Sequence, residues 1–453
     1  MRANFARWGV ARGRAVLLAL VATACTQTIH HRYETSSEDW RRSEAFAPAV
    51  DAGDQLFEGA PFLERGALVR LVLERSPNAR AALHAWRAAL ARYPQVTSFD
   101  DPMLGAGLAP RSVGSDTVDD GYRLDLAQKL PFPGKLRLRG ETALGEAEAA
   151  SHDHTAVRLR LATMASLVFD DYAFAARSLE INDLHVALLE EFQRIATVRY
   201  EAGEASQQDP IQAEVELTHA LHREVVLQTA LRVTADQINA LLHRSPALPL
   251  PPVPTGTVAP QEAHRAPDEL VADALENSPD LLAADARVAA EQARVDLAWR
   301  EYFPDFTVTG AYDRVWQEED LQPFVGLQMN VPLQLGRRKA AVDEAEARLE
   351  QARSQRLAVE DDVRLAVHSG ADRLAEARHI AHLFRDRLLP AARDQVAAAR
   401  SGFETGRNSF LALIDAQRNL LDVELSHADA LADVGRRRAE LDRAVGRIPG
   451  LEW

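Results

Sequence analysis

The chain is written twice, and that duplication constrains its fold more than any other feature. Leu73-Glu74-Arg75-Ser76-Pro77 returns as Leu275-Glu276-Asn277-Ser278-Pro279, 202 residues later. Tyr200-Glu201-Ala202-Gly203 returns as Phe403-Glu404-Thr405-Gly406, at an offset of 203. That match continues through Ser206 and Ser409, Ile211 and Ile414, and Ala213 and Ala416. At the ends of the halves, Ile238 through Arg244 with Pro246 correspond to Leu441 through Arg447 with Pro449. Separate anchors that keep nearly one offset mark a tandem repeat. The halves are expected at 65–244 and 268–447, joined by a proline-rich linker at 245–267, with a short C-terminal tail at 448–453.

Each half repeats one order of elements. A helix comes first, Leu68 to Leu90 and Leu270 to Trp299. Strands follow. A glycine-rich one near Met103 to Leu108 is weak, but Tyr122, Leu124 and Leu126 alternate with Arg123, Asp125 and Ala127. Phe306, Val308 and Tyr312 alternate with Thr307, Thr309 and Asp313. Val325, Leu327, Met329 and Val331 alternate with Phe324, Gly326, Gln328 and Asn330. Period-two alternation with one polar face is the signature of a strand.

Long helical stretches then run from Leu136 to Tyr200 and from Arg337 to Phe403. Ile181, Leu184, Leu188, Phe192 and Ile195 step by three and four residues, which is coiled-coil spacing. At ~1.5 Å per residue, roughly 65 residues make a rod of about 100 Å. Gly203 and Gly406 end the rods, and shorter helices return over Asp209 to His243 and Leu411 to Val445. Pro390 is expected to kink or locally open the second rod.

The N-terminus reads as an export signal. Arg2, Arg7, Arg12 and Arg14 precede an apolar run from Ala15 to Ala22, too short to span a bilayer. Val21-Ala22-Thr23-Ala24-Cys25 resembles a bacterial lipobox, with Ala22 in place of the usual leucine. The expectation is a signal peptide at 1–24, an acylated Cys25, and an N-terminal tail at 25–64. Thr26 follows where an aspartate would signal retention in the inner membrane, so the outer membrane is the expected site. Cys25 is the sole cysteine, which excludes a disulfide framework and a cysteine metal centre.

No segment after the signal holds the ~20 apolar residues of a transmembrane helix, so a membrane crossing must use strands. Four amphipathic strands cannot close alone, because open edges in lipid leave N–H and C=O groups unpaired. Three copies supply twelve strands, a reasonable barrel. The same copies bring together alanine-rich helical hairpins. The expected fold is therefore mainly α with a small β part: hairpins forming an α-barrel in a trimer, and four strands per chain contributing to a twelve-stranded β-barrel.

From Leu68 to Gly446 this order resembles TolC-type outer-membrane efflux factors. The resemblance rests on the aromatic-Glu-x-Gly turns with Ser206 and Ser409, on Leu413-Ile414-Asp415-Ala416-Gln417, and on Pro390. Asp101-Pro102, Gly121-Tyr122 and Pro131-Phe132-Pro133-Gly134-Lys135 are more similar to the heavy-metal (CzcC- and CusC-like) branch. The resemblance implies a lipid-anchored duct subunit of a tripartite pump, in contact with outer-membrane lipid and extending into the periplasm. It implies a homotrimer that docks a periplasmic adaptor through the turns at Gly203, Ser206, Gly406 and Ser409. Through that adaptor it would reach an inner-membrane, proton-driven transporter of the RND type. Family members often close the tunnel with an acidic ring. Asp415 matches that pattern, but the usual second acid is Ala412 here, whose counterpart in the first half is Asp209. Asp209 and Asp415 are the resulting gate candidates.

Asp209 before Pro210 also fits a helix N-cap with proline in the first turn. His219 with His222, and His379 with His382, have the spacing of two metal ligands but lack a nearby third, so solvated helix surface explains them. His30 and His31 read as part of a loose tail. No nucleophile elbow, HExxH or phosphate loop occurs, so neither an active site nor a cofactor is expected. The net charge of -15 excludes nucleic acid as the main partner and mildly favours a cationic cargo. The rival reading is a coiled-coil envelope lipoprotein with a purely structural role. It accounts for the signal, the rods and the acidity, but not for strands placed identically in both halves.

Overall fold

The computed structural model describes residues 28–45, 56–57, 59–254, 265–316 and 318–450. The export signal, Cys25 and the middle of the proline-rich linker lie outside them. Among the described residues no helix is long and apolar enough to cross a membrane. The chain divides into two compact units. One comprises Met1–Glu44, Ala82–Asp153 and Asp280–Val359, the other Ala45–Ala81, His154–Pro279 and Glu360–Trp453.

The helices and strands follow the order expected from the repeat. After α1 (28–45) come α2 (Arg65–Arg75), α3 (Pro77–Leu90), α4 (Arg92–Thr97), β1 (Met103–Leu108), β2 (Tyr122–Leu130), α5 (Lys135–Glu201) and α6 (Gln208–Leu241). The second half gives α7 (Pro267–Asn277), α8 (Pro279–Arg300), β3 (Phe306–Asp313), β4 (Pro323–Met329), α9 (Leu335–Leu383), α10 (Leu389–Glu404) and α11 (Phe410–Val445).

Two sequence expectations need correction here. The opening helix of each half is broken. Ser76 (φ -65°, ψ 121°) and Ser278 (φ -64°, ψ 116°) are extended between the two pieces. Proline cannot donate to the helical ladder, and its ring drives the preceding residue out of the α region, so Pro77 and Pro279 start new helices. Secondly, His30 and His31 are not in a loose tail, because residues 28–45 form a packed helix. Ile29 and Tyr33 join a cluster with Tyr93, Ala143 and Leu144, and the Trp40 indole N–H donates to the Leu83 carbonyl at 2.9 Å. Pro390 acts as expected: a π-helical turn, Phe384–Leu388, absorbs the missing backbone donor between α9 and α10.

In the first unit the four strands form one antiparallel sheet in the order β1-β2-β3-β4. Register places Leu104 opposite Leu126, Leu126 opposite Gly310, and Gly310 opposite Val325. One face therefore carries Leu104, Leu108, Leu124, Leu126, Val308, Tyr312, Val325, Leu327 and Met329, most of them exposed. The opposite face carries Arg123, Asp125, Lys129, Thr307, Thr309, Asp313 and Gln328. The helix side of the sheet is locked by Lys135, only 1% exposed. Its ammonium donates to Glu301 (3.1 Å), the Phe303 carbonyl (3.0 Å) and Asp305 (2.8 Å), and Asp305 also accepts from the Phe132 N–H. A buried ammonium without such partners would be prohibitive, so this lysine fixes where β3 begins relative to α5.

In the second unit a core of Leu68, Val69 and Val72 from α2 packs on Ala162, Ala165 and Phe169 of α5 and on Ile238 of α6. Within it Asp170, 4% exposed, receives two hydrogen bonds from the Arg65 guanidinium. Gly435 of α11 makes room for that carboxylate, since a Cβ there would lie 2.5 Å from both carboxylate oxygens. Burial pushes the Asp170 carboxyl up to about 6, against the pull of Arg65.

Candidate functional site

The features marked by the repeat converge where the two helical hairpins turn, within the second unit. α5 ends at Gly203 (φ +75°) and α10 at Gly406 (φ +70°). The Gly203 N–H donates to Tyr200 O and the Glu204 N–H to Arg199 O; Gly406 to Phe403 O and Arg407 to Gly402 O repeat the pattern. These are paired Schellman turns, whose left-handed residue favours glycine. The same geometry recurs at the other ends of the return helices, with His243 (φ +53°) standing where the second half has Gly446 (φ +84°).

The serines after the turns are backbone caps. Ser409 is the N-cap of α11, its hydroxyl accepting from the Ala412 N–H at 3.3 Å, and the Ser206 hydroxyl accepts from the Gln208 N–H at 3.2 Å. Asp209 is therefore not the cap that its place before Pro210 suggested. It lies in the first turn of α6, half-buried, with its N–H on the Ser206 carbonyl, because the helix has already started at Gln208. A carboxylate there still complements the helix dipole.

Behind the turns, Leu189, Phe192 and Ala196 of α5 and Ala213 of α6 meet Ala399 of α10 and Phe410, Leu413 and Ile414 of α11. The Arg199 guanidinium lies 4.7 Å over the Phe403 ring. Small residues let the helices approach closely, so the two hairpins share one apolar seam.

The main polar link across that seam was not evident in the sequence. Glu216 of α6 has a side chain only 8% exposed, and Arg418 of α11 holds both its oxygens, one at 2.8 Å from Nε. The hydrogen bonds from Arg418, ahead of other influences, keep the Glu216 carboxyl below its ordinary range. Arg418 also pairs with the exposed Asp415 at 3.3 Å, so that gate candidate is charge-compensated. Nearby His185 is pushed down to about 4, first by burial and then by Arg223, which leaves it neutral at physiological pH. Glu216 and Arg418 are not equivalent positions of the repeat, so the duplication that revealed the turns hid the pair.

Among the described residues no group of three His, Cys, Asp or Glu side chains is placed to hold a metal ion. His382 instead contacts the Arg385 guanidinium at 2.8 Å.

Residues 270–447 match the Outer membrane efflux protein family. The cobalt-zinc-cadmium resistance protein CzcC of Cupriavidus metallidurans is 27% identical over 56% of this chain and 59% of its own length. The outer membrane protein OprJ of Pseudomonas aeruginosa is 25% identical over 95% of both chains. Among solved structures, a membrane protein from Pseudomonas aeruginosa superimposes with a TM-score of 0.71 at 21% identity, covering 85% of this chain and 92% of that one. CusC superimposes with a TM-score of 0.69 at 17% identity, covering 85% and 93%. The long hairpins, the four-stranded sheet and the paired turns are thus the fold of these solved membrane proteins, and residues 270–447 are similar to the Outer membrane efflux protein family.

Proposed function

We propose that three copies of this chain form the outer-membrane duct of a tripartite efflux system and catalyse no reaction. The observation that carries this reading is the sheet. It has four strands, one exposed face that is apolar but for Gln128, and unpaired edges at β1 and β4. An apolar face suits lipid, but open edges do not, since each unpaired backbone group there costs several kcal/mol. Two further copies remove every edge by continuing the ladder into a twelve-stranded barrel. A structural coiled-coil lipoprotein has no use for such a face.

In this reading the hairpins line the periplasmic tunnel. The turns at Gly203, Ser206, Gly406 and Ser409 dock a periplasmic adaptor, which connects the duct to an inner-membrane, proton-driven transporter. Cys25 carries the acyl anchor. Asp209 and Asp415 contribute the acidic constriction, tempered by Arg418. The name of CzcC supports cobalt, zinc or cadmium cations as cargo. The test is single-channel recording in planar bilayers. Wild-type trimers conduct ions. In the Asp209→Asn, Asp415→Asn double variant, block by divalent cations weakens. Unchanged divalent block removes these carboxylates from the constriction; absence of conductance from assembled trimers removes the duct itself.

A further inference from the structure

The sheet pairs its strands by one rule, and that rule extends past its edges. Leu104 faces Leu126 across β1 and β2, and Val308 faces Leu327 across β3 and β4. These are the same pairing in the two halves of the repeat, with β3 offset from β1 by 204 residues and β4 from β2 by 201. Asp305 before β3 corresponds to Asp101 before β1 at the same offset of 204. Lys135, directly after Gly134, corresponds to Arg337, directly after Gly336.

The corresponding residues are in unlike states. Lys135 is buried against Asp305 at 2.8 Å, and the contact ties the exit of β2 to the entry of β3. Arg337 and Asp101 are both exposed, and among the described residues neither forms an ion pair. Their neighbours are already engaged. Arg338 Nε donates to the Glu301 carbonyl at 2.8 Å, and Asp100 pairs with Lys129 at 3.4 Å. Arg337 follows β4 and Asp101 precedes β1, and β4 and β1 are the two edges of the sheet.

We propose that Arg337 pairs with Asp101 of the next copy, as Lys135 pairs with Asp305 within the chain, and that this contact sets the register in which β4 joins β1 between subunits. This rests on the duct reading above, because only a closed ring brings those two edges together. The β2–β3 register, carried over by the repeat, places Val325 opposite Leu108, Leu327 opposite Ala106 and Met329 opposite Leu104 of the next copy. All six lie on the apolar face, so the lipid-facing surface continues across the joint. A slip of one residue would turn the apolar side of one strand to the lumen. A slip of two would keep the faces but move the two charges ~7 Å apart along the strands. The ion pair is what separates the proposed register from that alternative.

Oxidation of the Leu104→Cys, Met329→Cys double variant in membranes tests the register. Directly opposite Cβ atoms of an antiparallel pair lie ~4.5–5.5 Å apart, close enough for a disulfide to form. Covalent dimers and trimers are expected on non-reducing gels, and neither single variant should give them. Leu104→Cys with Leu327→Cys, two residues out of register, should give none either. Charge reversal tests the pair. Arg337→Asp and Asp101→Arg should each lower the temperature at which detergent-solubilised trimers dissociate, and the double reversal should recover most of the loss. Separate structural roles would make the two losses add. If a single reversal fails to assemble, trimers recovered in the double reversal support the pair, and their absence overturns it. Assembled Leu104→Cys, Met329→Cys trimers that do not cross-link, cross-linking at the shifted pair, or additive losses overturn the proposal while leaving the duct intact. Wild-type protein that forms no trimer would instead overturn the duct.

Discussion

Arg418 of α11 grips Glu216 of α6, across the seam where the two hairpins turn. Neither residue appears where the repeat would place a partner for the other, so the pair ties together two structurally equivalent arms by a non-equivalent contact.

Arg418→Ala leaves the Glu216 carboxylate buried with its main donor gone. Such a loss costs about 1–3 kcal/mol. Thermal unfolding in detergent should detect it, with Glu216→Gln less affected because its amide carbonyl still accepts from Arg418. The pH dependence has a definite sign. Glu216 has a lowered carboxyl pKa in the fold, so its contribution is full above the ordinary glutamate value and lost only as pH falls through the depressed one. The wild-type advantage over Arg418→Ala should stay level from pH 8 to about 5 and shrink below it. A level difference down to strong acid would show that the pair carries none of the stability.

Asp170 behaves in the opposite sense. Its carboxyl is raised from 3.8 to about 6, so the stability it contributes is full below 3.8 and lost as pH rises through about 6. Asp170→Asn mimics the protonated form and should gain on wild type as pH rises from 4 to 7, by at most about 3 kcal/mol. A difference that does not change across that window would mean that Arg65 fully compensates the burial.

Leu327 and Gln328 are neighbours in sequence on opposite faces of β4. Leu327→Arg puts a charge on the lipid face, at a cost of ~2–4 kcal/mol per chain near the midplane. Gln328→Arg puts the same charge on the polar face. Outer-membrane fractions should contain assembled Gln328→Arg and little Leu327→Arg. Equal assembly of both would reverse the assignment of the faces.

Cys25→Ser should abolish incorporation of labelled fatty acid into the chain, since the sequence holds no other cysteine. Labelling that persists in this variant would refute the lipobox.

Most of the fold was legible because it is periodic. The strands were readable from Tyr122-Arg123-Leu124 and Val325-Gly326-Leu327, where every second residue is apolar, and the rods from apolar steps of three and four. The turns were readable because Gly203 and Gly406 repeat. Helix breaks at Ser76 and Ser278 were missed because apolar spacing continues through them, and only the following proline forces the extended backbone. The Asp209 cap was misplaced, since α6 already begins at Gln208, whose N–H the Ser206 hydroxyl accepts. Glu216 with Arg418, and Lys135 with Asp305, were invisible for a different reason. Each pair joins residues about 170 to 200 positions apart, and no local pattern encodes a long-range charge partner.

In the proposed duct, four strands per chain close only with partners. Light scattering on protein extracted from membranes in mild detergent measures this directly. Three chains per particle are expected, and loss of the particle when detergent is withdrawn. A folded single chain, stable and monodisperse without detergent, would contradict it.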